Sequence, residues 1–229
     1  MAYRRCLNPA RLASGDALTP ALVGIGMLFS SPVNLEPNPS PNIEDSLLAA
    51  SLEGMEADDL RVLAVLLSWL EIHSAWVNVD RLTLLVEARS GERVRAFWSA
   101  VARWLGKDRR WARLAKLRPS PRLDLLAVGT EFHLRRAGED PRFDGGPLRV
   151  PKGILRERPQ DVLSPGELAK RHAAYRHRIL QGPSYRADMW AELDREPSLS
   201  CAELARRTYG SFATAWHVKR DWKVLANAG

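Results

Sequence analysis

The sequence predicts a mainly α protein, with two small helical units joined by a short β-containing segment. Two observations lead there. Apolar residues recur at three- and four-residue spacing through 58–106 and again through 164–226, the period of helices with one buried face. The stretch between them, 119–165, is rich in Gly and Pro and alternates short apolar groups instead. At 229 residues the chain is long enough to bury a sizeable core without disulfides or metals. The expected division is an N-terminal arm with an acidic, proline-rich segment (1–57), a helical unit with the β segment (58–160) and a C-terminal helical unit (161–229).

Each element has its signal. Asp58 to His73 (DDLRVLAVLLSWLEIH) is nearly apolar after its first turn, so it predicts a core helix with acids at its positive end. NVDRLTLLVEA follows as a second helix, stopped near Ser90–Gly91, and ERVRAFWSAVARWLG as a third, ending at Gly106. LDLLAVGTEFHLRR and PLRVPKGIL read as short strands, with a hairpin turn at Gly145–Gly146. Pro147 and Pro151 confine any ladder there to an edge. SPGELAKRHAAYRHRILQG predicts one helix, capped by Ser164, with Pro165 in its first turn and Gly182 as its stop. Residues 32–42, PVNLEPNPSPN, hold four prolines and predict an exposed linker. The residues before them are expected to pack on the main body.

The formal charge of +7 conceals a segregated pattern. Glu36 to Leu60 has seven acidic residues and no Lys or Arg; Arg81 to Arg118 has eleven basic and three acidic; Ser164 to the end has eleven basic and seven acidic. Basic segments of this kind suit phosphate-bearing partners, and the acidic one suits a basic partner. The longest apolar stretch near the start, Ala21 to Phe29, is too short to span a bilayer. Asn8, Pro9, Asp16 and Pro20 separate it from the basic residues before it, unlike a signal peptide. Two distant cysteines, Cys6 and Cys201, suggest a reducing compartment, and a cytoplasmic protein is expected.

Catalytic signatures are scarce. There is no Walker A, G-x-G-x-x-G, H-E-x-x-H or G-x-S-x-G. Cys6 and Cys201 lack zinc spacing with any histidine, and His172 and His177 are misaligned for one metal on a single helix. Asp124, Glu131 and His133 mimic the acidic centre of a nuclease but lack the lysine such folds place after the acid. The sequence therefore predicts neither an enzyme nor a cofactor.

The C-terminal stretch is the most legible. Pro183 opens a helix that runs to about Arg195, and Pro197–Ser198 breaks it. Ser200 and Glu203 have the spacing of a capping box for CAELARRT. Tyr209–Gly210 turns the chain, and Ser211 caps a longer helix to about Ala226. Its predicted inner face is Ala215, Val218, Trp222 and Leu225. Its outer face carries Trp216, His217, Arg220 and Lys223. This stretch resembles the helix-turn-helix domains of bacterial transcription regulators, the winged type included. The residues that carry the resemblance are Leu204–Ala205, Gly210 and the capped helix from Ser211. The resemblance implies double-stranded DNA as partner, with the last helix in the major groove. Ser211, Phe212, Ala213, Trp216, His217, Arg220 and Lys223 inherit the contact positions. No wing follows within the four residues after Leu225.

Arg61 to Leu105 can be laid over the same pattern. Val94, Phe97, Val101 and Trp104 then face inward, Arg95, Ser99 and Arg103 outward, and the strands after Pro119 serve as the wing. Arg109, Arg110 and Arg113 would add phosphate contacts. The rival expectation is an antitoxin-like or accessory protein whose helical units bind a protein partner such as a toxin, with Trp216 as anchor. Assembly as a homodimer is compatible with either.

Overall fold

A computed structural model describes residues 12–29, 41–117, 119 and 121–227. It is mainly helical, as expected. The helices are α1 (Leu18–Gly24), α2 (Ile43–Glu56), α3 (Leu60–His73), α4 (Val79–Arg89), α5 (Glu92–Trp104), α6 (Thr130–Ala137), α7 (Pro165–Arg171), α8 (Ala173–Gln181), α9 (Tyr185–Arg195), α10 (Cys201–Thr208) and α11 (Phe212–Ala226). Among the described residues, no helix is long and apolar enough to cross a membrane.

The centre of the molecule is α2, in the segment expected to be an acidic arm. Eleven of its fourteen residues are buried, and it packs against α1, α3, α4 and α5. Asn42 caps it, accepting from the Asp45 N–H at 3.1 Å. Gly54 permits the close approach of α3: a Cβ there would sit 2.3 Å from the Leu63 side chain. The helix is buried because LLAASLEGM is small or apolar except at the half-buried Glu53, and counting acids hid this. The linker expected at 32–42 and the opening residues 1–11, Cys6 among them, lie outside the described residues except for Pro41 and Asn42. Residues 12–29 do pack on the body. Ile25 and Met27 are fully buried, and the Trp69 indole donates to the Ile25 carbonyl at 2.7 Å.

Two corrections concern the region after α5. Strand β1 (Leu123–Asp124) pairs with β2 (Leu148–Arg149) in parallel, with Leu123 opposite Leu148 and Asp124 opposite Arg149, so there is no hairpin at Gly145–Gly146. Parallel pairing needs a long crossover, and α6 lies within it. TEFHLRR, expected as strand, is that helix. It starts after Gly129 and stops at Gly138, both with positive φ. Its Phe132 is exposed, so the apparent alternation was not a buried strand face.

The single helix expected over 164–182 is broken. His172 takes an extended conformation (φ −123°, ψ 104°), and its Nδ1 accepts from the Tyr175 N–H at 3.1 Å, capping α8. Its Nε2 donates to the Pro41 carbonyl at 2.9 Å. Ser164 and Glu167 form a full capping box on α7.

Buried apolar residues fall into two clusters. The larger holds residues from Leu18 to Tyr175, α7 and α8 included; the smaller holds Met189, Leu193, Leu199, Leu204, Ala205, Ala215 and Val218 of α9–α11. The boundaries expected at 57 and at 161 therefore do not part apolar cores: Ile43 to Met55 and Leu163 to Tyr175 lie in the larger cluster.

Candidate nucleic-acid interface

α9, α10 and α11 are joined as the C-terminal motif predicts. Three residues, Tyr209 to Ser211, separate α10 from α11, the connection length of a helix-turn-helix. Tyr209 carries the turn in the left-handed region (φ 56°, ψ 20°), and Gly210 follows because a Cβ there would meet the Met189 side chain at 2.2 Å. Ser211 caps α11, its Oγ accepting from the Thr214 N–H at 3.0 Å. Ser200 likewise accepts from the Glu203 N–H at 3.1 Å. The capping box expected there is only half made. The Glu203 carboxylate turns to Arg206 and Arg207, whose hydrogen bonds hold it down at about pKa 2.

The facing of α11 follows the apolar spacing for its first half. Ala215 and Val218 are fully buried. Trp222 is half-buried, its indole donating to Asp194 at 3.0 Å. Leu225, expected inside, is 64 % exposed and takes no part in the smaller apolar cluster, to which this helix contributes Ala215, Val218 and Trp222. The opposite face carries Phe212, Ala213, Trp216, His217, Arg220 and Lys223, all exposed, with Ser211 half-buried at its start. Three of these touch. The Trp216 and His217 rings meet edge-on with centroids 5.0 Å apart, and the Arg220 guanidinium lies 5.6 Å over Trp216. Arg220 also pairs with Asp221 at 2.8 Å.

The central basic residues are placed differently. α5 is not a helix with a free outer face. Ala96, Trp98, Ser99, Ala100 and Ala102 are buried as well as Val94, Phe97 and Val101, while Trp104 is half-buried. Ser99, expected outward, donates to the Ala115 carbonyl at 2.7 Å. Arg95 is half-buried and donates to the Glu87 carbonyl at 3.0 Å; Arg103 is exposed at the end of the helix. Arg110 is held by Asp108 and the carbonyls of Ser74, Ala75 and Val77, and Arg113 by the Glu87 carboxylate at 2.8 Å. Arg109 is exposed and, like Arg103, Lys107 and Lys116, makes no ion pair with any described residue. Arg118 lies outside the described residues.

The acid–histidine group considered for a nuclease is tied up otherwise. Arg149 bridges Asp124 at 2.6 Å and Glu131 at 3.2 Å, and His133 stacks edge-on with Phe132. Among the described residues, no group of three metal-ligating side chains comes together.

Sequence reasoning missed the feature that ties α9 and α10 to the larger apolar cluster. Four buried charges, two of each sign, join the two apolar clusters. Arg81 of α4 reaches Glu44 of α2 at 3.0 Å and Asp188 of α9 at 2.7 Å. Arg178 of α8 reaches Glu44 at 2.6 Å and Asp188 at 2.7 Å. Burial pushes both carboxyls up, but Arg178 and Arg81 outweigh it and hold them below the ordinary carboxylate range. Arg81 also donates to the Thr208 carbonyl at 2.5 Å, the last residue of α10, with the Tyr185 ring 4.8 Å away. The Tyr209 hydroxyl donates to Asp45 at 2.8 Å. The turn before α11 is thus pinned to α2 and α4. A signal was present: Arg81 and Arg178 stand beside residues on buried faces, where apolar residues are the rule.

Comparison of the chain with family models, with curated proteins and with solved structures found no match in any of the three.

Proposed function

We propose that this protein is a DNA-binding regulator that reads duplex DNA with α11, and that its C-terminal helices act as a separate small unit on a larger helical one. The observation that carries this reading is the exposed face of α11. After a three-residue turn it presents Phe212, Ala213, His217 and Arg220 to solvent while Ala215 and Val218 are fully buried behind it. A major groove accepts one helix, and short and basic side chains near its start reach base edges. The buried cluster under the turn supports the reading, because a reading helix must keep a fixed orientation while it is anchored from behind. Arg103, Lys107, Arg109 and Lys116 supply sequence-independent attraction to phosphates.

The test is a titration of duplex DNA with the wild-type chain and with His217→Ala/Arg220→Ala. Specific affinity falls by about tenfold or more, given that a good base contact is worth about 1–3 kcal/mol, while non-specific affinity falls much less. Full specific binding by the double variant removes α11 from the reading. A second reading rests on Phe212 and Trp216, each 49 % exposed. Large apolar side chains on one helix face suit a protein partner such as a toxin, and Trp216→Ala would then abolish that complex and leave DNA affinity unchanged.

A further inference from the structure

A surface cavity of about 250 Å³ opens between the last turn of α5 and the turn at 141–146 that leads into β2. Drug-sized sites begin at roughly 300 Å³, so this one admits a single flat ring system rather than a large ligand. The 141–146 turn is fixed from within. The Phe143 N–H donates to the Asp140 carbonyl at 2.9 Å, and the Gly146 N–H to the Phe143 carbonyl at 2.8 Å. Gly145 takes φ 61°, and a Cβ on Gly146 would sit 2.8 Å from the Phe143 carbonyl oxygen, which accounts for the glycine pair. Buried Phe143 and half-buried Trp104 supply an apolar wall. Among the charged groups of the lining, Arg142 is committed: Asp140 holds it at 2.6 Å, and it donates to the Leu155 carbonyl at 2.6 Å. Arg103 and Asp144 are exposed, and their side chains hold no hydrogen bond or ion pair with any described residue.

The lining thus offers an uncommitted guanidinium, an uncommitted carboxylate and an aromatic wall. A lone anion would be repelled by Asp144 and a lone cation by Arg103. Aromatic walls take flat rings, and nucleobases above all. A guanidinium pairs well with a phosphate, and an ionised carboxylate only accepts hydrogen bonds. Of the common bases, guanine alone places two N–H donors side by side on its pairing edge, where the two oxygens of one carboxylate reach both. We propose that this cavity binds a guanine base together with its phosphate, the base against Trp104, its N–H edge on Asp144 and the phosphate on Arg103. Such a guanine comes from a free nucleotide or from an unpaired position in a nucleic-acid strand, and the chemistry is shared. The proposal does not rest on the DNA-binding reading of α11.

The experiment titrates the full chain calorimetrically with guanosine monophosphate. The controls are the adenosine, cytidine and uridine monophosphates, guanosine and inorganic phosphate. Guanosine monophosphate should bind saturably, about tenfold or more tighter than each control. Asp144→Asn sets an N–H against the base edge and should bring that affinity down to the level of the adenosine nucleotide. Arg103→Gln should bring it down to the level of guanosine, whose own affinity stays unchanged. Both side chains are exposed, so the thermal midpoint should be kept. A thymine oligonucleotide holding one guanine, beside its all-thymine counterpart, separates the two sources. Where the guanine strand binds tighter than the free nucleotide and loses that advantage in Asp144→Asn, the source is a strand; where it does not, the source is the free nucleotide. If neither form of guanine is preferred over its guanine-free control, or the preference survives Asp144→Asn, the site is overturned. An unchanged affinity in Arg103→Gln overturns the phosphate half. His217→Ala/Arg220→Ala should keep guanine binding, so failure of the α11 reading leaves this site standing.

Discussion

α5 and α11 carry the same apolar spacing of three, four and three residues, with basic side chains between, yet they end in opposite environments. Eight of the thirteen residues of α5 are buried, whereas α11 buries Ala215 and Val218. The difference lies on the face that apolar spacing ignores. In α5 that face is small, with Ala96, Ser99, Ala100 and Ala102, so a second layer can pack against it. In α11 it bears Phe212, Trp216, His217 and Arg220, which are too large and too polar for that. Amphipathic spacing identifies one buried face; the size of the residues opposite decides whether the helix is covered twice.

The largest effect expected is at the junction between the two clusters. Arg178→Ala leaves Glu44 and Asp188 buried with half of their counter-charge, and removing one partner of a buried ion pair costs about 3–5 kcal/mol. Denaturant unfolding should show that loss. A change under about 1 kcal/mol would mean that the cluster is solvated and does not join the regions.

Next comes a direct contrast of the two helices. Trp98→Ala in α5 removes a fully buried indole whose N–H donates to Ser51 at 2.8 Å, and should cost about 3–5 kcal/mol. Trp216→Ala in α11 should change stability by about 0.5 kcal/mol or less, as exposed positions do. Equal costs would break the comparison and mean that the outer face of α11 is packed.

These contrasts show what the sequence made legible. Helix starts were, because Ser164 and Ser211 act on their own next turn, within three residues. The facing of α11 was legible as far as Val218. The buried cluster was not, because Glu44 pairs with Arg81 and Arg178, which are 37 and 134 residues away, and no local period records a pairing at that range. The break at His172 was hidden for a related reason: its ring bonds Pro41, 131 residues distant. The parallel strand pair is two residues long, too short for any periodicity to show.

A smaller effect concerns pH. His73 belongs to the larger cluster, where its Nε2 donates to the Leu163 carbonyl at 3.0 Å and its Nδ1 accepts from the Tyr175 hydroxyl at 2.6 Å. Burial lowers its pKa to about 4, against the bond to Leu163, so the folded protein keeps it neutral. The unfolded chain takes up a proton near pH 6.5 and the folded chain only near 4. Stability contributed by His73 is therefore complete above 6.5 and is lost as pH falls from there to about 4. His172, lowered in the same direction by burial, adds to the slope. The thermal midpoint should fall over this window and fall less in His73→Gln. An unchanged slope in the variant would assign it to His172 instead.

The smallest effect separates basic residues of one segment by what they already hold. Arg113 faces Glu87, and its guanidinium is neutralised in place at 2.8 Å. Arg109, four residues earlier and exposed, makes no ion pair with any described residue. Each phosphate contact contributes about 0.9 to the slope of log affinity against log salt. A contact from Arg113 must first give up Glu87, so its net contribution is small. Arg109→Ala should therefore flatten the slope by about one contact and weaken all duplexes alike, while Arg113→Ala leaves the slope nearly unchanged. The measurement is non-specific duplex affinity across a salt series for the two variants. Equal slopes for Arg109→Ala and wild type would mean that the central segment stays away from the phosphates and that DNA attraction comes from α11 and its neighbours alone.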